Sequence, residues 1–169
     1  MSLRAQKPAV EMEGAFRTNM SNFLDHELNM IDGSTATLRS LAGEGRVLLV
    51  NVASACGLTP QYSDLQRLHT EHDGITVVGV PCNQFGAQEP GTHEDICAFT
   101  EERYGVNFPL SVKLEVNGPG RHPIFEALCA VADADGHHGD VRWNFEKFLI
   151  SGDGSIVRFK PQTSPADVL

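Results

Sequence analysis

At 169 residues and 41% hydrophobic content, the chain is the size of one ordinary domain and long enough to bury a core. Its net charge of −9, with only 13 Lys and Arg spread along it, argues against nucleic-acid and anionic-membrane partners, both of which need clustered cations. No apolar run approaches the roughly 20 residues of a spanning helix, and Met1 to Met20 lacks the apolar centre of a secretory signal, so a cytoplasmic protein is expected.

Residues 1–21 have no periodicity and read as a flexible leader, leaving 22–169 as a single domain. From Phe23 to Leu38 a weak alternation about Asp32-Gly33 predicts a hairpin at the sheet edge. Arg46 to Val52 is a β-branched and leucine run, short enough for a strand buried on both faces. A helix is expected from about Gln61 to His72, with Tyr62, Leu65 and Leu68 on its buried side, then a second buried strand at Ile75 to Val80. Strand, helix, strand in this order implies parallel pairing. Pro81 to Gly91 is loop by composition. Thr92 to Asp95 has the form of a capping box, Gly105 ends that helix, and His122-Pro123 opens another carrying Ile124, Phe125, Leu128 and Val131. Trp143 to Ile150 and Ser155 to Phe159 read as an antiparallel pair, and Ser164-Pro-Ala-Asp as a helix start with almost no helix after it.

The chemistry is expected at Cys56, on the turn between the first strand and the first long helix. Ligands and reactive groups in open α/β sheets gather beyond the carboxyl ends of strands, and a helix N-terminus favours a thiolate. The loop after the second strand lies on the same edge, and its Asn83 and Gln88 are neutral donors able to approach sulfur. Gly57 supplies an unobstructed N–H, and Trp143 and Asn144 begin the later strand. Against this, a free cysteine is usually a small buried hydrophobe and an isolated tryptophan is usually core. Of the four cysteines, Cys82 reads as structural and Cys129 as core, while Cys97 lies within the capped helix.

Asn51-Val-Ala-Ser-Ala-Cys-Gly-Leu-Thr-Pro-Gln-Tyr62, Val80-Pro-Cys-Asn-Gln-Phe-Gly-Ala-Gln-Glu-Pro-Gly91, Val116-Asn-Gly118 and Trp143-Asn-Phe-Glu-Lys-Phe-Leu149 together resemble the glutathione peroxidase family, from about Phe23 to Pro165. The resemblance implies an α/β, thioredoxin-like fold: a central mixed β-sheet flanked by helices, with an N-terminal β-hairpin. It also implies an antioxidant oxidoreductase that reduces hydrogen peroxide and organic hydroperoxides. Cys56 stands where the family carries its reactive cysteine or selenocysteine, and Gln88, Trp143 and Asn144 stand where it carries the supporting side chains. The implied step is attack of a Cys56 thiolate on the distal peroxide oxygen, giving a sulfenic acid.

Turnover then needs a second thiol. In many family members without selenium a resolving cysteine lies in the helix after the second loop; the position bacterial relatives often use corresponds to Thr100, and Cys97 is about one helical turn earlier. Cys97 is thus either the resolving cysteine or an inert buried thiol. A Cys56–Cys97 bond needs Cα atoms within about 7 Å, which in this family implies local unwinding of the helix. If Cys97 resolves, thioredoxin is the expected reductant; if not, glutathione or another small thiol serves directly, and in neither case is a bound cofactor implied. The short Ala132 to Asp140 connection lacks the insertion that family tetramers use, so a monomer is expected. Two other readings stand beside this one: a thiol redox sensor without turnover, and a metal-binding module using Cys82, His93 and Cys97 or His137-His138, whose spacings match no common zinc site.

Overall fold

The computed structural model describes residues 22–169, so the expected leader lies outside the described residues. A 3₁₀ turn at Asn22–Asp25 leads into a small antiparallel ribbon, β1 (Glu27–Asn29) and β2 (Thr35–Thr37). The turn between them is shaped by the Asp32 carboxylate, which accepts from the Ser34 N–H at 2.9 Å and hydroxyl at 2.6 Å. The hairpin is present, but it forms its own two-stranded sheet rather than an edge of the main one. A short helix that the sequence reading missed, α1 (Leu38–Ala42), follows at once, with Thr37 and Ser40 forming its capping box.

The main sheet has the order β4-β3-β5-β6. At its centre, β3 (Arg46–Val52) pairs in parallel with β4 (Ile75–Pro81) and antiparallel with β5 (Lys147–Ile150), which in turn pairs antiparallel with β6 (Ile156–Phe159). The late pair is therefore present but shorter than expected, because Trp143, Asn144 and Phe145 form a turn ahead of β5 rather than its first residues.

Alternation along β3 divides the core between the two faces. Val47 and Leu49 pack with Val78, Phe148 and the apolar side of α4 (Pro123–Cys129), while Leu48, Val50 and Val52 pack with Val77, Leu149 and the helices α2 (Gln61–Glu71) and α3 (His93–Tyr104). Helix ends follow local chemistry: Thr92 and Asp95 form the capping box of α3, and Gly105 closes it in the left-handed conformation at φ 61°. The His122 ring accepts the Ile124 N–H ahead of Pro123. Helix α4 ends at Cys129, so Val131 falls in the following turn, and a 3₁₀ turn at Pro165–Asp167 is all that follows Ser164. No helix among the described residues is long and apolar enough to cross a membrane.

Candidate active site

Beyond the carboxyl end of β3 the chain does not enter α2 directly. Successive three-residue turns, Thr59 N–H to the Cys56 carbonyl at 3.0 Å and Gln61 N–H to the Leu58 carbonyl at 2.9 Å, carry it from Cys56 to Gln61. Cys56 is thus five residues ahead of the helix, on the turn between strand and helix expected for it. The Thr59 hydroxyl shapes this turn by accepting the Cys56 N–H at 3.0 Å and donating to the Ala53 carbonyl at 2.9 Å. Cys56 is 9% exposed, and its sulfur accepts the Leu58 N–H at 3.3 Å. The amide that reaches the sulfur belongs to Leu58, one residue beyond the expected Gly57.

The loop after β4 is tied to this turn through its backbone: the Ala55 N–H donates to the Gln88 carbonyl at 3.1 Å. Gly86 and Ala87 both adopt positive φ, 65° and 52°, and a Cβ on Gly86 would lie 3.2 Å from the Trp143 ring, so glycine lets the two segments approach. Asn83 braces the loop from within, its Oδ1 accepting the Glu89 N–H at 2.9 Å. That places its amide carbonyl in loop geometry rather than at the sulfur. Gln84 ties the loop to the Val116–Asn117 segment by accepting both backbone N–H groups, at 2.7 and 3.1 Å. Asn117 exchanges hydrogen bonds with the Val141 backbone, both 2.9 Å, just before the Trp143 turn.

The third segment meets the other two at Asn144, which is fully buried and donates Nδ2 to the Gln88 Oε1 at 2.9 Å and to the Phe85 carbonyl at 3.4 Å. Accepting with Oε1 leaves Gln88 its Nε2 group as the donor it can offer. Asn51, on β3, donates to the Trp143 carbonyl at 2.9 Å and accepts the Phe145 N–H at 2.6 Å. Trp143 is 37% exposed, not core, with its ring 5.9 Å from that of Phe85. The structure therefore brings Gln88 and Asn144 together beside the Cys56 turn, with Trp143 at the solvent edge.

Two neighbours were not foreseen. Glu89 is 1% exposed and takes the Ser54 hydroxyl on Oε1 at 2.6 Å; burial pushes its carboxyl up, and Ser54 pulls it back. Lys147 is fully buried with its Nζ on the Phe145 and Pro161 carbonyls at 2.6 and 3.0 Å. The signal for Lys147 was its register: it shares a strand face with Leu149, a core residue.

The remaining thiols have other surroundings. Cys97 lines a cavity of about 480 Å³ with Met30, Ile31, Thr100, Phe108 and Leu110, and Cys56 is not among its walls. Burial, then Glu101 and Asp32, pushes the Cys97 thiol up. Cys82 and Cys129 are buried and pushed up by desolvation, with the Cys82 thiol donating to Gln84 Oε1 at 3.4 Å. All four cysteines are free. Among the described residues no three His, Cys, Asp or Glu side chains are grouped so as to hold a metal ion.

The glutathione peroxidase family model matches residues 23–129. Over 147 residues the chain is 49% identical to the hydroperoxy fatty acid reductase Gpx2 of Synechocystis sp., covering 85% of this chain and 91% of the relative. The chain belongs to the glutathione peroxidase family. It is also 42% identical over 159 residues to the thioredoxin/glutathione peroxidase BtuE of Escherichia coli, covering 81% of this chain and 86% of the relative. The crystal structure of T. cruzi GPX1 superposes with a TM-score of 0.66 at 32% identity, covering 85% of this chain and 89% of that one. A thioredoxin-like protein from Aeropyrum pernix superposes with a TM-score of 0.64 at 19% identity, covering 94% and 91%, and bears on the fold alone. This glutathione peroxidase family member is a thioredoxin-like α/β protein and a thiol peroxidase.

Proposed function

We propose that the chain reduces hydroperoxides at Cys56, with Gln88, Trp143 and Asn144 as the supporting donors. The observation that carries this reading is the Asn144–Gln88 hydrogen bond at 2.9 Å, in a loop whose backbone is fastened to Ala55, the residue before Cys56. The Cys56 thiolate attacks the distal peroxide oxygen; an S–O bond forms as the O–O bond breaks, and the leaving alkoxide or hydroxide takes a proton to depart as alcohol or water. Neutral donors suit this step, because they stabilise charge as it moves from sulfur to the leaving oxygen without competing as nucleophiles. Leu58 N–H supplies one such donor to the sulfur, and Gln88 Nε2 offers another to the peroxide.

The Cys56 sulfenic acid then condenses with a thiol, losing water to form a disulfide. Cys97 is the resolving thiol in the thioredoxin-dependent version of this cycle, and glutathione fills that role in the other. The name of the Escherichia coli relative includes both reductants. Organic hydroperoxides are included as substrates on the strength of the name of the Synechocystis relative. The protein acts as a cytoplasmic monomer comprising a single domain from residue 22 onward. The test is peroxide consumption with thioredoxin and its reductase, or with glutathione, followed by peptide mapping. Cys56→Ser is expected to abolish turnover, and normal turnover in it would sink the assignment. A mapped Cys56–Cys97 disulfide supports the thioredoxin branch; a sulfenic acid on Cys56 that is cleared only by glutathione supports the other.

A further inference from the structure

Lysine is rarely buried without a carboxylate partner, yet Lys147 is fully buried and its Nζ bonds go to two main-chain carbonyls, Phe145 at 2.6 Å and Pro161 at 3.0 Å. Those carbonyls have particular places. Phe145 closes the Trp143–Phe145 turn with φ at 67°, a left-handed conformation that bulky residues seldom adopt. Pro161 lies just beyond β6, and its carbonyl also receives Gln61 Nε2 at 3.0 Å from the first residue of α2, the helix that follows the Cys56 turn. We infer that Lys147 is a positioning residue for peroxide reduction, fixing the turn that carries Trp143 and Asn144 to the segment that holds the start of α2.

This inference rests on the donor set proposed above. The lysine side chain is a rigid cross-tie because both acceptors are backbone atoms. One bond holds the turn that carries Trp143 and Asn144, and the other reaches, through the Pro161 carbonyl, the helix that follows the Cys56 turn. Asn51 also grips the Trp143 carbonyl and the Phe145 N–H, so the turn is held from β3 and from β5 together. Burial pushes the Lys147 ammonium down to about 7, against the attraction of Glu146. Around neutrality much of the group is then an amine, whose two N–H bonds match the two carbonyls. A displacement of the turn of about 1 Å is enough to cost on the order of a hundredfold in a positioned reaction.

The test measures the second-order rate of Cys56 oxidation by hydrogen peroxide in a single turnover. Cys56 alkylation by chloroacetamide and the melting temperature are measured alongside it, for the wild type, Lys147→Met, Asn144→Ala and the double variant. Lys147→Met is expected to react with peroxide about tenfold more slowly or worse, with alkylation little changed, and to add nothing in the Asn144→Ala background, since coupled residues are non-additive. Wild-type peroxide reactivity in folded Lys147→Met, additivity with Asn144→Ala, or a parallel fall in alkylation would each overturn the positioning role. Should Lys147→Met not fold, Gln61→Ala decides, because it loosens the same Pro161 carbonyl: a smaller slowing that vanishes beside Asn144→Ala supports the role, and a wild-type rate removes it. An unaffected Asn144→Ala would instead strike at the donor set itself, whereas a slow Asn144→Ala beside a wild-type-like Lys147→Met removes only the part assigned to Lys147.

Discussion

Thr59 gives the reactive turn its shape with a single hydroxyl, accepting from the Cys56 N–H and donating to the Ala53 carbonyl in a site that is 4% exposed. Thr59→Val keeps the volume and strands both backbone groups, at a cost of about 1–3 kcal/mol for buried polar groups left unpaired. The expected outcome is a lower urea midpoint together with slower Cys56 oxidation, read in one unfolding series and one stopped-flow series. Lys147 makes a second prediction at this scale. Its ammonium is pushed from 10.5 down to about 7, so between those values the unfolded chain holds a proton that the folded chain has released. The Lys147 contribution to stability therefore rises as pH increases from about 7 towards 10.5, and is lost as pH falls through 7 and the buried amine must charge. Urea midpoints at pH 7 and pH 9 should show this as a gain in the wild type relative to Lys147→Met, and an equal pH response in both would contradict it.

At the scale of elements, α3 is held by the Thr92–Asp95 capping box at one end and by Gly105 at the other, with Cys97 in between. If Cys97 resolves, the helix must open for its thiol to leave the cavity it lines, so the cap opposes the disulfide. Thr92→Ala removes about 1 kcal/mol of helix stability, which raises the open population roughly fivefold. Formation of the Cys56–Cys97 disulfide after a peroxide pulse should quicken by a similar factor, as timed by acid quench and thiol alkylation. No acceleration would mean that Cys97 forms its bond without helix opening or does not form it. The cap, the hairpin turn and the His122-Pro123 helix start were legible in the sequence because each is settled by side chains within a few residues of the backbone they serve. Helix α1 was not, being five residues long and too short for a period to show. The Cys56 turn and the start of α2 at Gln61 were both legible, because the small residues after β3 break the strand pattern and Tyr62, Leu65 and Leu68 begin the helical one.

Across the whole molecule, what the sequence could not disclose is which distant groups meet. Arg158 is 2% exposed and pairs with the fully buried Glu146 at 2.9 Å, while donating to the Cys129, Val131 and Asp140 carbonyls. Arg142 extends the network to Glu146 and Asp133, at 2.6 and 2.7 Å. Read locally, these are charges on a solvated face; in the fold they stitch the segment after α4 onto β5 and β6. Glu146→Gln should destabilise by about 3–5 kcal/mol, the usual cost of removing one partner from a buried ion pair, and a melting temperature within a degree of wild type would show that the network is dispensable. The same distances in sequence bear on how the enzyme is made. Asn51 finds the Trp143 carbonyl across 92 positions, and Gln88 finds Asn144 across 56. At roughly 5–20 residues per second of synthesis, Cys56 is made several seconds before Trp143 and Asn144. If Gln88, Trp143 and Asn144 activate Cys56 as proposed, its peroxide reactivity waits for the turn ahead of β5 to be translated, and a stalled or truncated nascent chain is then spared oxidation of its own nucleophile.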